Sequence, residues 1–415
     1  MRLTADDEAV LAAVTASGEA LVARATAWCE IASGSHDREG LETQRLALAE
    51  TLGSLPGRTD RVALADSAEI GASGETRSRS HPAALRLTVR PEAPVQVLLT
   101  GHYDTVYPAG DAFRTVAKRA DGALNGPGIA DMKGGISVML GALEAFESHP
   151  LASRLGYVVL LSPDEEVGSP GSAPLLKAAA ARAQVGLTYE PCLPDGALAG
   201  ARKGSGNFHL VVTGCAAHAG RDFAGGRNAL AAAADLAARL HALNGRRAEV
   251  TLNIGRIDGG GPLNVVPGSA VVRFNVRVPD TASAEWCSER IDDLITSADA
   301  PDIAFALHGG FHRPPKPVDP PQARLMAAVE DVGRLLRQPI AWRASGGVCE
   351  GNNLHAAGLP NIDTLGVRGG DIHSHGEYAW PDSFGERARL SAALLMKLAS
   401  GEIDSQGLGR TGAGA

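Results

Sequence analysis

Asp164, Glu165 and Glu166 stand side by side in LLSPDEEVGS, directly after the apolar run 157–161. Adjacent carboxylates repel one another and resist desolvation, so the end of a buried strand suits them only if water or a cation faces them. Other segments repeat the arrangement: His102 follows VQVLLT (95–100), Glu190 follows VGLTY (185–189), and His373 follows NIDTLGV (361–367). Asp131 lies in GPGIADMKGG, whose glycines suit a loop that approaches a ligand closely. Each residue alone is most simply a solvated surface group, and DEE alone a charged turn. Together they offer two imidazoles and three carboxylates with no thiolate. That set suits one or two borderline ions such as zinc. One of the adjacent glutamates would then hold a metal while its neighbour works on a bound water.

The elements must bring these residues to one place. Helical periodicity runs over 5–30 and 38–54, and β-prone fragments at 61–64 and 84–89 lie in a charged, Ser- and Gly-rich stretch. Buried strands are expected at 95–100, 156–162 and 185–191, with a loop feeding a helix at 129–149. Strands alternating with helices predict an α/β sheet of parallel character, and such sheets bind ligands beyond the carboxyl ends of their strands. The texture changes near 205. Strand-like GNFHLVVTGC, a helix at 228–243, two alternating strands (EVTLNIGRIDG, SAVVRFNVRVP), a helix at 283–297 and a strand at 303–307 form a βαββαβ unit. The Pro-rich RPPKPVDPP (313–321) reads as a hinge or linker, after which a helix at 322–337 and the apolar 361–367 resume the α/β texture. The expected organisation is one domain built from 1–204 and 313–415, interrupted by a smaller unit at 205–312. The last fifteen residues look frayed.

The 415 residues exceed one ordinary core, and 44% hydrophobic with 21% charged residues is a normal globular balance. A net charge of -8 argues against a nucleic-acid surface. No apolar run is long enough to span a membrane, and the acidic start MRLTADDEAVLAAV lacks a signal peptide's apolar centre. The five scattered cysteines contain no CxxC, so neither a disulfide framework nor a thiolate zinc site is expected, and a reducing cytoplasm is the simplest home.

GHYDTVYP, GPGIADMKGG, SPDEEVGS, YEP and GDIHSHGEY occur in this order, with CAAHAG and NVVP between them. This series resembles the M20 family of zinc peptidases and amidohydrolases over about residues 95–400, and most of all its glutamate carboxypeptidase-like branch. The resemblance implies a mixed sheet flanked by helices, interrupted by an α+β, ferredoxin-like lid that pairs two subunits. It implies two Zn2+ ions, with Co2+ or Mn2+ as substitutes. His102, Asp131, Glu166, Glu190 and His373 would be the ligands, Asp131 bridging and followed by a cis peptide bond. Asp104 would orient the His102 imidazole, and Glu165 would be the general base. His218 would donate to the oxyanion of the partner subunit's site in a homodimer. Asn264 and Arg277 would contact substrate, with Arg202 and Lys203 as further candidates. The implied substrate is a small amide or short peptide with a free carboxylate.

The sequence departs from the family pattern at GGVCEGNN, where Cys349 and Glu350 occupy positions usually held by Ser or Thr and Asp. His375 lies two residues beyond His373 and is a second candidate for the same ligand position. Three other functions stay open at this level: an N-acyl-amino-acid deacylase, a non-catalytic ligand-binding relative, and a carboxylate-pair glycosidase. The last would survive chelation and leaves both histidines unexplained.

Overall fold

The computed structural model describes residues 1–411. Its central sheet has six strands in the order Arg58–Val62, Ala84–Val89, Leu155–Ser162, Val95–His102, Val185–Thr188, Asn361–Ile362. The first two pairings are antiparallel and the rest parallel, so the sheet is mixed. The inner strands are apolar on both faces because helices cover both. Val97 and Leu99 join one core with helices Ala5–Ala16, Gly18–Cys29, Lys133–Phe146 and Pro381–Ser400, while Leu98 and Leu160 join another under Ala173–Ala180 and Glu350–Ala356. Helix Lys133–Phe146 is buried at every residue except Glu144, the pattern of a core helix rather than a surface one. It approaches the sheet closely: a Cβ on Gly135 would lie 1.9 Å from the Tyr189 carbonyl oxygen. Glycine there brings the start of the helix against the end of the strand that delivers Glu190.

The inserted unit carries a four-stranded antiparallel sheet in the order Thr251–Gly259, Ser269–Val278, Gly204–Thr213, Ala304–Arg313. Helices Ala229–His241 and Thr281–Thr296 pack on one face through Ala233, Leu236, Leu240, Cys287 and Ile291. Against the other face lies a hairpin from the large domain, Ser67–Ile70 with Thr76–Arg79. Ile70 packs on Val211 and Val271, and Arg273 donates to the carbonyls of Ile70 (2.9 Å) and Gly71 (3.0 Å).

Several elements differ from the sequence reading. The helical stretch 5–30 divides at Ser17. The strand expected at 303–307 runs on to Arg313, through Gly309 at φ +97°, a conformation glycine adopts without strain. Of 361–367 only Asn361–Ile362 pairs as a strand, since Asp363 turns into a buried ion pair. The tail is not frayed over 401–411: Ile403 and Leu408 are buried, and Thr411 donates to the His355 carbonyl at 2.7 Å. Residues 412–415 of the expected frayed segment lie outside the described residues.

Candidate metal centre

Three of the parallel strands end side by side, His102 opposite Ser162 and Thr188 opposite Thr100, so the residues just beyond the strand ends meet at one edge. The acids of DEE part company there. Asp164 is buried and caps the next turn, its Oδ2 accepting from Gly171 N (2.7 Å) and Ser172 N (3.2 Å). Glu165 meets Arg313, whose Nη2 lies 2.7 Å from Oε1. Glu166 turns to His373, whose Nε2 is 3.1 Å away.

Two ligand groups result, and they share Asp131. His102, Asp131 and Glu190 form one; Asp131, Glu166 and His373 form the other. His102 Nε2 is 3.0 Å from Asp131 Oδ1, and His373 Nε2 is 3.3 Å from Asp131 Oδ2. One carboxylate thus faces both imidazoles with different oxygens, as a bridging ligand would. The peptide bond after Asp131 is cis.

Burial, followed by the charge of Asp131, pushes Glu166 up to about 8 and Glu190 up to about 7. Burial would raise Asp131 too, yet His102 and His373 hold it below the ordinary carboxylate range. Hydrogen bonding to Asp131, then to Glu166, lifts His373 to about 10. Burial opposes the charge on His102, but Asp104, Asp131 and Glu190 together outweigh it. The cluster is therefore short of positive charge. Glu190 Oε1 is buried with no hydrogen-bond partner among the described residues. Oxygen and imidazole donors around uncompensated buried carboxylates fit divalent ions of the zinc type.

Asp104 has a wider task than orienting His102. The nearer partner of His102 Nδ1 is the Asp104 carbonyl oxygen, at 3.0 Å, with the carboxylate at 3.4 Å. The carboxylate instead accepts from the backbone N–H of Glu165 (3.1 Å) and Glu166 (3.2 Å), and from Ser35 Oγ (2.8 Å). It fixes the backbone that carries the glutamate pair. His375 is not in the cluster; it pairs with Asp111 at 2.9 Å and stacks on Phe113.

The proposed substrate contacts divide. Arg277 is half-buried on strand Ser269–Val278, where Nη1 has no partner among the described residues. Asn264 and His218 lie together on an exposed part of the lid: Ala219 N donates to the Asn264 carbonyl at 2.8 Å, and His218 pairs with Val265. Arg202 is a correction. Its guanidinium is buried, with Nε 2.8 Å from Asp363 and Nη1 3.2 Å from the Gly347 carbonyl, so it is engaged with the interior. Lys203 Nζ donates to the Glu249 carbonyl at 2.7 Å, which engages it at the lid surface.

Two residues at the site, Arg313 and Glu377, were not singled out from sequence, and Glu350 was noted only as a departure from the family pattern. Arg313 donates to the Glu165 carbonyl (2.9 Å) and Ser169 Oγ (3.1 Å) besides pairing with the Glu165 carboxylate. Its only signal was its place at the border of the Pro-rich hinge. Glu350 is buried, bonds Ser162 Oγ, and is lifted well above the ordinary carboxylate range, chiefly by burial. Glu377, four residues after His373, accepts four hydrogen bonds beneath the ligand loops.

The sequence profile of peptidase family M20/M25/M40 matches residues 98–397, which takes in every ligand of the cluster. The chain belongs to peptidase family M20. Carboxypeptidase G2 of Pseudomonas sp. (strain RS-16) is 27% identical over 351 residues, 81% of this chain and 83% of that protein. A succinyl-diaminopimelate desuccinylase of Xanthomonas oryzae pv. oryzae is 30% identical over 307 residues, 69% of this chain and 79% of that one. A Staphylococcus aureus tripeptidase structure superposes with TM-score 0.70 at 20% identity, covering 92% of this chain and 99% of that one. An M20 metallo-carboxypeptidase from Sulfolobus solfataricus superposes with TM-score 0.69 at 14% identity, covering 92% and 99%. The M20 fold, with its mixed sheet between helices, is thus shared at low identity. The chain is an enzyme of this hydrolase family.

Proposed function

We propose that this M20 enzyme is a two-zinc hydrolase of amide or peptide bonds adjacent to a free carboxylate, acting as a carboxypeptidase. The observation that carries the reading is Asp131 shared by two ligand groups, with Glu165 beside them and outside both. Divalent ions, when bound, polarise the scissile carbonyl and lower the pKa of water to roughly 7. Glu165 takes a proton from the attacking water and hands it to the leaving nitrogen. Arg313 holds one oxygen of Glu165 and leaves the other for that proton. Asp104 keeps the backbone of Glu165 and Glu166 in place.

A carboxylate on the substrate fits two guanidinium groups. Arg277 and Arg313 flank Ser205 on adjacent strands, and each has a buried Nη1 without a partner among the described residues. Burial, then the charge of Arg313, lowers Arg277, as expected of a buried cation with no anion beside it, while Arg313 spends Nη2 on Glu165 and keeps Nη1 free. A carboxylate answers both, since the guanidinium fork matches its two oxygens. The relatives support an acyl–nitrogen bond next to an acid group: their names describe a carboxypeptidase and a desuccinylase.

A substrate panel tests the reading. Dipeptides and N-acyl amino acids are compared with the same compounds carrying an amidated carboxyl terminus. The free acids should be hydrolysed, and Arg277→Ala should raise their KM by ~10–100-fold, the worth of a charged hydrogen bond. Equal rates on free and amidated compounds would refute carboxylate recognition. Preference for N-acyl amino acids over dipeptides would make the enzyme a deacylase.

A further inference from the structure

We propose that Glu377 is a positioning residue for the metal centre, fixing the loops that carry Asp131 and His373. The proposal rests on the two-ion reading given above. Glu377 is 1% exposed, and its carboxylate accepts from the Asp131 loop and from Tyr107, which in turn reaches the His373 loop. Oε1 accepts from Ala130 N (2.9 Å) and from Asp131 N (3.0 Å). Oε2 accepts from Gly128 N (3.0 Å) and from the Tyr107 hydroxyl (2.7 Å). The same hydroxyl lies 2.8 Å from the carbonyl of Ser374, next to His373. The backbone of Glu377 adds its own ties: its N–H donates to the Ser374 carbonyl (3.1 Å), and its carbonyl accepts from Gly126 N (3.2 Å).

The placement is costly unless it serves the site. A buried carboxylate beside the charge of Asp131 is disfavoured on two counts, burial and like charge. The loop it braces needs a brace: residues 371–376 are all exposed, and Asp371 and His373 both take positive φ (+52° and +61°). Few packing contacts hold such a loop, so hydrogen bonds set where the imidazole points. Glu377 thereby joins three separate motifs: Tyr107 from GHYDTVYP, Gly128–Asp131 from GPGIADM, and Ser374 from its own. Through Asp131 it acts on both ions, and through Tyr107 on the His373-side ion alone.

The test is Co2+ binding to the full chain, by chelator competition and visible absorption, alongside melting of the metal-free protein. Glu377→Gln keeps the shape but cannot accept four donors. It should weaken binding of both ions by ~10–100-fold, typical for partners of metal ligands, while Glu377→Asp, which retains the charge, falls between it and wild type. Tyr107→Phe should weaken only one of the two ions and alter one component of the Co2+ spectrum. The melting-temperature rise that Co2+ confers should shrink in the same order. If metal-free Glu377→Gln melts lower yet binds both ions with wild-type affinity, Glu377 is merely structural and the proposal falls. Should Glu377→Gln fail to fold, Tyr107→Phe with wild-type affinity at both sites overturns it. Absence of Co2+ binding by the wild-type chain would instead overturn the metal-centre reading itself.

Discussion

Glu165 and Glu166 are neighbours with different environments, and their chemistry reflects that difference. Glu166 faces His373 and Asp131, whereas Glu165 faces Arg313 from the lid strand. Glu165→Gln should therefore keep its metal and lose ~10²–10⁴-fold in kcat, the usual share of a general base. Glu166→Gln should lose metal first, as read by elemental analysis of the purified variants. The reverse pattern would exchange the two roles. The candidate ligands His102, Glu166 and Glu190 were legible in the sequence because they closely follow apolar strands, and Asp131 because it precedes a helix; His373 stands eleven residues past Ile362 and was marked only by its motif GDIHSHGEY. Arg313 was not legible, because HGGFHR resembles a turn, and only the pairing of Ser205 with Arg313 shows a strand reaching the site. The buried pairing of Arg202 was equally hidden in the sequence. A basic residue beside a lid suggests substrate, and nothing local announces its partner Asp363, 161 residues away.

At the scale of elements, the crossing between the two units is braced by a buried ion-pair group. The strand entering the lid and the chain leaving it lie side by side: Arg202 N donates to the Lys316 carbonyl (2.9 Å) and Lys316 N to the Arg202 carbonyl (3.0 Å). Asp363 Oδ2 accepts from Arg202 Nε and Lys316 Nζ, both at 2.8 Å, in full burial. Asp363→Asn leaves two buried cations short of their anion and should cost ~3–5 kcal/mol in urea unfolding. Burial would raise Asp363, but Arg202 and Lys316 outweigh it and hold it at about 2, below its ordinary 3.8. A depressed carboxyl stabilises the fold above the unfolded value and loses that contribution as pH falls from 3.8 towards 2. Wild-type stability should drop across that window more steeply than that of Asp363→Asn. Parallel slopes would show that the triad is not the group titrating. Periodicity located the helices and the central strands well, since burial on both faces leaves apolar runs. It did not find the hairpin Ser67–Ile70 with Thr76–Arg79, whose residues are mostly exposed and which is held through Arg273 of the lid.

For the whole molecule, the inserted lid raises the question of a second subunit. His218 is exposed, and its Nδ1 accepts from Gly220 N (3.1 Å) and Arg221 N (3.2 Å), which leaves Nε2 to face outward. Leu263 is fully exposed beside Asn264. We propose that the lids pair and that His218 serves the partner's oxyanion. Mixed Glu165→Gln and His218→Ala chains, each inactive alone, should regain activity after subunit exchange. A fully active monomer in sedimentation would exclude the arrangement. The change of texture near 205 lies where the first strand of the four-stranded sheet, Gly204–Thr213, begins. How the lid sits was not legible, because it depends on Arg273, Arg313 and the hinge triad meeting residues distant in sequence. The most direct test of a two-ion hydrolase is metal content measured with turnover on one preparation. The prediction is two divalent ions per chain, hydrolysis lost when a chelator removes them, and hydrolysis restored by Zn2+ or Co2+. Full turnover in protein shown by elemental analysis to hold no divalent metal would contradict it.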